Sequence, residues 1–311
     1  MGTTLITGAA GQIGSALTPA LRDRDGTEAI VASGLEETAD LGEPYVQLDV
    51  TDADRLHAVI EKHDIDTIYH LAAILSAKGE DQPQLAHEVN VDGLINILEA
   101  GRSHDLDQVI VPSTIAVFGP DTPSNPAEKT VLRPRTMYGI TKVHLELLAT
   151  YYSDRYGLDV RGVRFPGILS YEELPGGGTT DYAVEAFYGA IEDGSYTYFV
   201  REDTRLPMMY MPDAIEALVQ LAEADDGDLR FSCEYNVAAL EFTAGELTAA
   251  IQEHIPEFEA AYEPDDRQAI ADSWPDRVDD TAAREDWGWS PTYDLDAMVA
   301  DMLEQLETKL A

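Results

Sequence analysis

The sequence predicts an α/β fold, a doubly wound parallel sheet with a smaller C-terminal lobe. Over residues 1–165, short apolar runs alternate with longer amphipathic stretches, an order typical of parallel strands joined by right-handed helical crossovers. A glycine-rich loop follows the first apolar run. From Pro166 onward, a run of three glycines, Pro-rich patches and shorter helical stretches replace this alternation. We therefore expect residues 1–165 to form one domain and residues 166–311 mainly the smaller lobe, with some segments returning to the sheet.

The expected strands and helices follow from the same pattern. Short apolar runs predict strands at Thr3–Thr7, Ala29–Ala32, Tyr45–Leu48, Thr67–His70, Val109–Val111 and Val160–Phe165. Amphipathic stretches predict helices at about Gln12–Asp23, Ala53–His63, Leu85–Ala100 and Tyr138–Tyr156. Open sheets of this kind bind ligands at the carboxyl ends of their strands, and we expect the smaller lobe to be built from insertions at that edge.

The charge balance narrows the possible partners. The chain has 20 Lys and Arg residues against 59 Asp and Glu residues, a net charge of −39. Such a surface repels phosphate backbones and anionic lipid heads, so we expect no nucleic-acid partner and no membrane partner. The acidic residues are spread along the chain, as in proteins adapted to molar salt, where the Debye length falls to ~3 Å and self-repulsion is screened.

Targeting and metal-binding features are not visible in the sequence. No apolar run approaches the roughly 18 residues that span a bilayer, and no secretion signal precedes the first strand. Cys233 is the single cysteine, and no Cys or His cluster accompanies it, which argues against a disulfide or a structural metal. We therefore expect a cytoplasmic protein without a metal site.

The loop after the first strand has the composition of a dinucleotide site. Gly8, Gly11 and Gly14 permit a tight turn and the close approach of a pyrophosphate to the backbone, while the following helix offers free N–H groups and a favourable dipole. This arrangement is typical of a Rossmann-type domain, although the spacing here is G-x-x-G-x-x-G.

The adenosine side departs from the usual pattern. An acidic residue usually ends the second strand and binds the ribose hydroxyls, but this chain has Gly34 there. No Arg stands nearby to hold a 2′-phosphate, and Glu36 and Glu37 would repel one, so we expect NAD rather than NADP. Asp49, followed by Val50 after the third strand, is a candidate for the adenine amine.

A Y-x-x-x-K pair on a predicted helix indicates acid–base chemistry. Tyr138 and Lys142 lie on one helical face, so the ammonium is expected to favour the phenolate and to lower a pKa that starts near ~10. A phenolate can take a proton from an alcohol, and Lys142 can also hydrogen-bond the nicotinamide ribose. Upstream, a strand ends at Ser113 and Thr114, where a hydroxyl can hold the substrate oxygen.

These three features, in this order and spacing, resemble the extended short-chain dehydrogenase/reductase superfamily. Within it, several longer stretches are similar to the short-chain type of L-threonine 3-dehydrogenase. These stretches are His70–Glu80, Pro112–Pro120, Gly177–Val184, Leu206–Ala214 and Ala271–Pro275. The resemblance covers nearly the whole chain, from Thr3 to about Leu306, and Gly34 is the one departure from it.

The resemblance implies a reaction and a set of roles. L-Threonine would be oxidised at its Cβ hydroxyl by hydride transfer to NAD⁺, giving 2-amino-3-oxobutanoate. Tyr138 would be the general base, Lys142 would modulate its pKa, and Thr114 would supply the catalytic hydroxyl, with Ser113 as a substrate or orienting contact. The helices near Leu85–Ala100 and Val143–Tyr156 would pair in a homodimer.

The resemblance also implies the binding residues. The implied pyrophosphate contacts are Gly8, Gly11, Gln12, Ile13 and Gly14; the adenosine contacts are Leu71, Ala72 and Ala73; and the nicotinamide contacts are Pro166, Gly167 and Ile168. The implied substrate pocket in the smaller lobe and beside it comprises Ser76, Gly178, Thr179, Thr180, Asp181 and Trp274. Asp181 would accept the substrate ammonium, while the hydroxyls of Ser76 and Thr180 would bind its carboxylate.

Two other functions remain open at this point. A nucleotide-sugar 4-epimerase or dehydratase shares the fold and the Y-x-x-x-K pair. Dehydratases usually place Asp-Glu after the catalytic Thr, whereas Ile115 and Ala116 follow Thr114 here. An epimerase needs basic residues for a diphosphate, which could be Arg201, Arg205, Arg230 and Arg267. A non-catalytic NAD-binding sensor is the second alternative, although such proteins commonly lose the Tyr–Lys pair.

Overall fold

The computed structural model describes residues 2–37, 40–172 and 178–310. Gly176 and Gly177 of the predicted glycine run therefore lie outside the described residues, and Gly177 is also the first residue of one stretch of resemblance. The strands are β1 (Thr3–Thr7), β2 (Ile30–Gly34), β3 (Tyr45–Gln47), β4 (Ile65–His70), β5 (Gln108–Ile110), β6 (Ser113–Thr114), β7 (Val160–Arg161), β8 (Val163–Phe165), β9 (Gly167–Leu169), β10 (Ser195–Tyr198), β11 (Arg205–Tyr210), β12 (Tyr235–Asn236), β13 (Leu240–Thr243) and β14 (Glu259–Tyr262).

The helices connect and cover these strands. They are α1 (Gln12–Asp25), α2 (Ala53–His63), α3 (Ser76–Asp81), α4 (Pro83–His87), α5 (Gly93–Ser103), α6 (Met137–Tyr156), α7 (Tyr182–Glu192), α8 (Met211–Glu223), α9 (Ala244–His254), α10 (Arg267–Ala271), α11 (Thr281–Trp287) and α12 (Leu295–Leu310). A π-helical turn at Glu88–Asp92 joins α4 to α5, so the helix predicted at about Leu85–Ala100 is a longer, irregular element.

The central sheet has the predicted parallel arrangement. Among the described residues it contains six strands in the order β3-β2-β1-β4-β5-β7, and each neighbouring pair is parallel. Leu5 and Ile6 in β1 are fully buried, as expected for a parallel strand that is covered on both faces. After β3 at one edge the chain returns to place β4 beside β1, and a crevice opens at such a switch point. The Rossmann-type α/β fold is confirmed.

The strand predicted at Val160–Phe165 is in fact two strands. Val160–Arg161 (β7) pairs with β5 in the central sheet, whereas Val163–Phe165 (β8) pairs with β6 and β12 in a separate three-stranded sheet. The chain divides at Gly162, where a Cβ would lie 2.1 Å from the carbonyl oxygen of Val111. This close backbone approach leaves no room for a side chain at residue 162. After it, the chain pairs with β6 instead of β5.

The C-terminal lobe has its own apolar core but is not separate from the central sheet. Tyr182, Phe187, Tyr198 and Phe242 are buried together beneath α9 and α12. Other late segments return to the first half: α8 packs against α1, and β12 pairs with β8. The domain boundary at residue 165 stays a prediction.

Helix length and the placement of metal-ligating side chains bear on membrane and metal binding. In the described ranges, no helix is both long enough and apolar enough to cross a bilayer. In the same ranges, no group of three or more His, Cys, Asp or Glu side chains is arranged to hold a metal ion. Cys233 is buried as a free thiol. The cytoplasmic location stays a prediction.

Candidate active site

A cavity of about 160 Å³ lies where the predicted site residues converge. It is bounded by the start of α1, the segment after β4, the strand end of β6, the face of α6 and the segment before α7. The predicted residues that line it are Gln12, Ile13, Leu71, Ala73, Ser76, Ser113, Thr114, Tyr138, Lys142, Pro166, Gly167, Ile168, Gly178, Thr179, Thr180, Asp181 and Trp274. The predicted residues that do not line it are Gly8, Gly11, Gly14, Asp49, Val50 and Ala72.

Five lining residues were not predicted from the sequence. They are Leu75, Pro112, Ile115, Ala116 and Phe165. Most of them adjoin a predicted site residue along the chain, and three lie within the Pro112–Pro120 stretch that carries the resemblance. The signal was therefore present, but only the polar members of that stretch were assigned a role.

The glycine loop is shaped by close backbone contacts. Gly8 has a φ of +68°, and a Cβ there would lie 2.7 Å from the backbone nitrogen of Ala72. A Cβ on Gly14 would lie 2.5 Å from the carbonyl oxygen of Gly8, whereas one on Gly11 would meet only that oxygen, at 3.2 Å. Gly11 caps α1 without a side-chain hydrogen bond, which leaves first-turn N–H groups for a ligand. The loop therefore fits the pyrophosphate of a dinucleotide.

The adenosine side carries no acid at the end of β2. A Cβ on Gly34 would lie 3.0 Å from the phenol oxygen of Tyr45, and that phenol donates to the carbonyl oxygen of Glu36 at 3.1 Å. Asp49 is exposed and accepts hydrogen bonds from the backbone and side chain of Thr51 through one carboxylate oxygen. Val50 is buried and packs toward α5.

Tyr138 lies at the start of α6, beside the predicted catalytic hydroxyl. Thr136 caps the helix by accepting a hydrogen bond from the backbone nitrogen of Gly139 at 3.1 Å. The phenol of Tyr138 is hydrogen-bonded to the side chain of Thr114, whose oxygen also accepts from the backbone nitrogen of Ala116 at 3.2 Å. Two polar contacts therefore orient the Thr114 hydroxyl toward the phenol.

The predicted lowering of the Tyr138 pKa is wrong. Burial of the phenol raises the pKa of Tyr138 to about 12, and the hydrogen bond from Thr114 lowers it by less. The ammonium of Lys142 lies 5.7 Å from the centre of the Tyr138 ring, so both side chains do share one face of α6. Burial of the phenol therefore determines the direction of the shift, although the cation lies on the same helix face.

Lys142 makes its own contact with the strand end. Its Nζ donates to the carbonyl oxygen of Pro112 at 2.7 Å, and the residue is almost fully buried. Burial lowers the pKa of Lys142 to about 8, while the negative charge of the Glu146 carboxylate acts in the opposite direction. The group is therefore a buried ammonium with a weakened hold on its proton.

A buried ion pair that the sequence did not predict lies behind the cavity. Arg164 donates two hydrogen bonds to the carboxylate of Glu146, at 2.8 and 2.7 Å, and both side chains are buried. Ser113 donates its hydroxyl to Glu146 at 2.6 Å. Ser113 thus lines the cavity while its hydroxyl is held by Glu146, which favours Thr114 as the hydroxyl that faces Tyr138.

A second buried polar residue fixes the segment before Ser76. Asn90, in the π-helical turn, accepts from the backbone nitrogen of Ile74 at 2.7 Å and donates to the carbonyl oxygen of Ile74 at 3.0 Å. Its amide also donates to the hydroxyl of Thr141 in α6 at 3.1 Å. Asn90 therefore ties the segment that leads to Leu75 and Ser76 to the helix that carries Tyr138. No pattern in the sequence pointed to this role.

The far wall of the cavity comes from the C-terminal lobe. Asp181 directly precedes α7 and accepts a hydrogen bond from the backbone nitrogen of Gly178 at 2.6 Å. Thr179 is buried, and Trp274 packs between two apolar clusters. These residues face the strand end of β6 across a narrow space, so the predicted substrate residues are brought together.

The arginines considered for a diphosphate lie elsewhere. Among the described residues that line the cavity, Lys142 is the one Lys or Arg side chain. The four arginines instead form ion pairs with neighbouring acids outside it: Arg201 with Asp203 and Asp272, Arg205 with Glu246, Arg230 with Glu285 and Asp286, and Arg267 with Asp265.

Comparisons with known proteins agree with this geometry. A family model described as the NAD dependent epimerase/dehydratase family matches residues 4–238. An uncharacterised epimerase/dehydratase of Staphylococcus aureus (strain MRSA252) is 45% identical over 311 residues, covering 98% of this chain and 97% of that protein.

Several similar solved structures are those of L-threonine dehydrogenases. The L-threonine dehydrogenase from Phytophthora infestans is 47% identical, with a TM-score of 0.96 and coverage of 99% of both chains. A monomeric L-threonine 3-dehydrogenase of metagenomic origin is 42% identical, with a TM-score of 0.96 and coverage of 99% of this chain and 100% of that one. Because the family model covers most of the sequence and the staphylococcal relative aligns over nearly its whole length, the chain belongs to the NAD dependent epimerase/dehydratase family.

Proposed function

We propose that this protein is an NAD-dependent L-threonine 3-dehydrogenase. The proposal draws on the structural relatives that bear this description and on the convergence of Thr114, Tyr138 and Lys142 at one cavity. The glycine loop at the start of α1 fits the pyrophosphate of NAD, and when bound this cofactor supplies a hydride acceptor. The chain's own residues must then bind the amino acid and take the proton from its hydroxyl.

The proton of the Cβ hydroxyl goes to the phenol oxygen of Tyr138. Thr114 holds the same substrate oxygen while it changes from a hydroxyl to a carbonyl. Loss of this proton, together with the hydride from Cβ, leaves 2-amino-3-oxobutanoate. Because burial raises the pKa of Tyr138 to about 12, the phenol must first lose its own proton to solvent, and the phenolate that results then accepts the proton of the substrate. Lys142 favours this through its charge, although its ammonium donates to Pro112 rather than to the phenol.

The substrate is oriented by charge and hydroxyl groups around the cavity. The carboxylate of Asp181 accepts a hydrogen bond from the ammonium of threonine. The hydroxyls of Ser76 and Thr180 donate hydrogen bonds to the carboxylate of threonine. All three line the cavity. The aromatic ring of Trp274 closes the side of the pocket that faces the C-terminal lobe and helps to exclude water.

The observation that carries the proposal is the scarcity of cations at the cavity where Thr114, Tyr138 and Lys142 meet. Lys142 is the one Lys or Arg side chain among the described residues that line it, and its ammonium is bonded to Pro112. A nucleotide sugar needs cations for its diphosphate, which disfavours the 4-epimerase alternative. A non-catalytic sensor is disfavoured because it has no need for Thr114, Tyr138 and Lys142 to meet at one cavity.

Initial rates of NADH formation test the proposal. The purified protein is assayed at molar KCl with L-threonine, L-serine or a UDP-hexose, each with NAD⁺ and with NADP⁺. We expect turnover with L-threonine and NAD⁺, and weaker turnover with NADP⁺. Turnover of the UDP-hexose without oxidation of L-threonine would favour the epimerase, and binding of NAD⁺ without any turnover would favour the sensor.

The homodimer is also a proposal, and it depends on one face of α6. Ile140, Leu147 and Tyr151 are each at least half exposed and lie on one side of the helix by their spacing of seven and four residues. A second copy of the chain would cover this apolar face. Sedimentation in molar salt should give a dimer that Leu147→Glu dissociates, whereas a monomeric wild type would contradict the proposal.

A further inference from the structure

Three residues on one face of α6 contact three consecutive residues of the strand end. Tyr138 is hydrogen-bonded to Thr114, Lys142 to Pro112 at 2.7 Å, and Glu146 to Ser113 at 2.6 Å. The α6 residues are spaced four apart, which places them in line along the helix. The first two contacts belong to the proposed chemistry, but the third involves an acid for which that chemistry has no use.

Glu146 is held from the opposite side by the neighbouring strand. Arg164 lies directly across from Ser113 in the parallel β6–β8 pairing, and its guanidinium donates to both oxygens of Glu146. A further donor of Arg164 bonds to the carbonyl oxygen of Glu128 at 3.0 Å, so the guanidinium itself is fixed. The carboxylate of Glu146 therefore joins α6 to both β6 and β8.

The position of Ser113 decides the position of Thr114. The two residues are adjacent in the two-residue strand β6, and the Thr114 oxygen accepts the N–H of Ala116 while contacting the Tyr138 phenol. A rotation of the strand end would move this hydroxyl away from the phenol. A hydrogen bond from Ser113 to a buried, ion-paired carboxylate opposes that rotation more strongly than a bond to a neutral acceptor.

We propose that Glu146 is a positioning residue for the reaction: held by Arg164, its carboxylate anchors the Ser113 hydroxyl and so keeps the Thr114 hydroxyl against the Tyr138 phenol. This inference rests on the proposed function for its effect on turnover, but the anchoring itself is a property of the protein alone. A misplacement of about 1 Å at a reacting group lowers a rate by up to ~100-fold, so the anchor should be visible in kcat.

Single and paired variants separate anchoring from stability. Ser113→Ala removes the hydroxyl and leaves the ion pair in place. Glu146→Gln with Arg164→Met, the amide double variant, removes both buried charges together but keeps an oxygen that accepts from Ser113. Glu146→Leu with Arg164→Met, the apolar double variant, removes both charges and the acceptor. Thr150→Val is the matched control, since Thr150 lies on the same helix and its hydroxyl also donates to a carboxylate, that of Glu234, at 3.0 Å.

Kinetics with L-threonine and amide exchange of Ala116 by NMR provide two independent readouts. We expect Ser113→Ala and the apolar double variant to lower kcat by about 10-fold or more with little change in KM for NAD⁺, and to speed exchange of the Ala116 amide. Thr150→Val should stay close to the wild type in both. The amide double variant keeps only a neutral acceptor for Ser113, so its kcat and Ala116 exchange should fall between those of the wild type and the apolar double variant. Thermal unfolding is recorded for every variant.

Equal losses in the amide and apolar double variants would show that the ion pair acts on stability alone and would overturn the proposal. Unchanged kcat and unchanged Ala116 exchange in Ser113→Ala would also overturn it. If the wild type does not oxidise L-threonine, the proposed function is wrong, and the exchange of the Ala116 amide then decides the anchoring by itself.

Discussion

The ammonium of Lys142 donates a hydrogen bond to the carbonyl oxygen of Pro112, 2.7 Å away. The buried cation is therefore bonded to the residue that precedes the Ser113–Thr114 strand. The contact explains how a charged side chain is kept beneath the cavity, because a buried charge needs a partner. It also leaves the ammonium near the Tyr138 ring without a hydrogen bond between the two side chains. The two residues should therefore respond differently to substitution.

Tyr138→Phe should remove the proton acceptor and little else. We expect kcat with L-threonine to fall by a factor on the order of 10³, because the phenol oxygen is the group placed next to Thr114. The affinity for NAD⁺, measured by fluorescence titration, should stay largely intact. Tyr156→Phe, at another exposed tyrosine of the same helix, is the control. A near-normal kcat in Tyr138→Phe would show that Tyr138 is not the general base.

Lys142→Met should abolish turnover and yet stabilise the cofactor-free protein. Burial lowers the pKa of Lys142 from 10.5 to about 8, so between these values the unfolded chain binds more protons and stability rises with pH. Below about pH 8 the full cost of burying the ammonium remains. We therefore expect the variant to be more stable than the wild type at pH 7, by on the order of 2 kcal/mol.

The pH dependence of that difference is the diagnostic result. Urea unfolding should show the gain of Lys142→Met shrinking as the pH rises from 8 toward 10.5. Lys62→Met, at an exposed lysine of α2, should show no such trend. A destabilised Lys142→Met variant at pH 7 would contradict the description of Lys142 as a strained buried cation.

Two glycines of the loop should respond differently to alanine. A Cβ on Gly14 would lie 2.5 Å from the carbonyl oxygen of Gly8, so Gly14→Ala should lower the free energy of unfolding by about 1–3 kcal/mol. On Gly11 the same contact would be 3.2 Å, so Gly11→Ala should fold well. We expect it to bind NAD⁺ less tightly, because the added methyl group would occupy space in the loop proposed to hold the pyrophosphate. Equal effects of the two changes on stability would contradict this interpretation of the loop.

The net charge of −39 predicts a strong dependence of stability on salt. Screening of self-repulsion should raise the melting temperature by on the order of 10 °C between about 0.1 and 2 M KCl. Sucrose at equal osmolality is the control, since it leaves the charges unscreened and should have a smaller effect. A melting temperature that is unchanged by KCl would remove the argument for adaptation to molar salt.

The elements that could be predicted from the sequence are those with a local pattern. The glycine loop, the alternating strands and the Tyr138–Lys142 spacing each depend on neighbouring residues, and their placement followed from helical or strand periodicity. The division of the predicted strand at Gly162 did not, because it depends on the approach of Val111, which follows β5 and is far from Gly162 in the sequence. A glycine within an apolar run is too common to indicate such a crossing.

Buried charge was the other feature that the sequence did not reveal. Glu146 and Arg164 are 18 residues apart, and each alone is typical of a solvated surface. Only the pairing of β6 with β8 against α6 brings them together beneath Ser113. The predicted lowering of the Tyr138 pKa was wrong for a similar reason. The spacing between Tyr138 and Lys142 is a local feature of the sequence, but the burial that raises the pKa of Tyr138 comes from the tertiary structure.

The central claim is that a hydride leaves Cβ of L-threonine for NAD⁺ as Tyr138 takes the hydroxyl proton. Oxidation of L-threonine deuterated at Cβ, followed by mass spectrometry of the reduced dinucleotide, tests it most directly. We expect the deuterium to appear in the reduced dinucleotide, and substrate deuterated only at Cα to give unlabelled dinucleotide. Unlabelled dinucleotide from the Cβ-deuterated substrate, or no reduction at all with L-threonine, would contradict the claim.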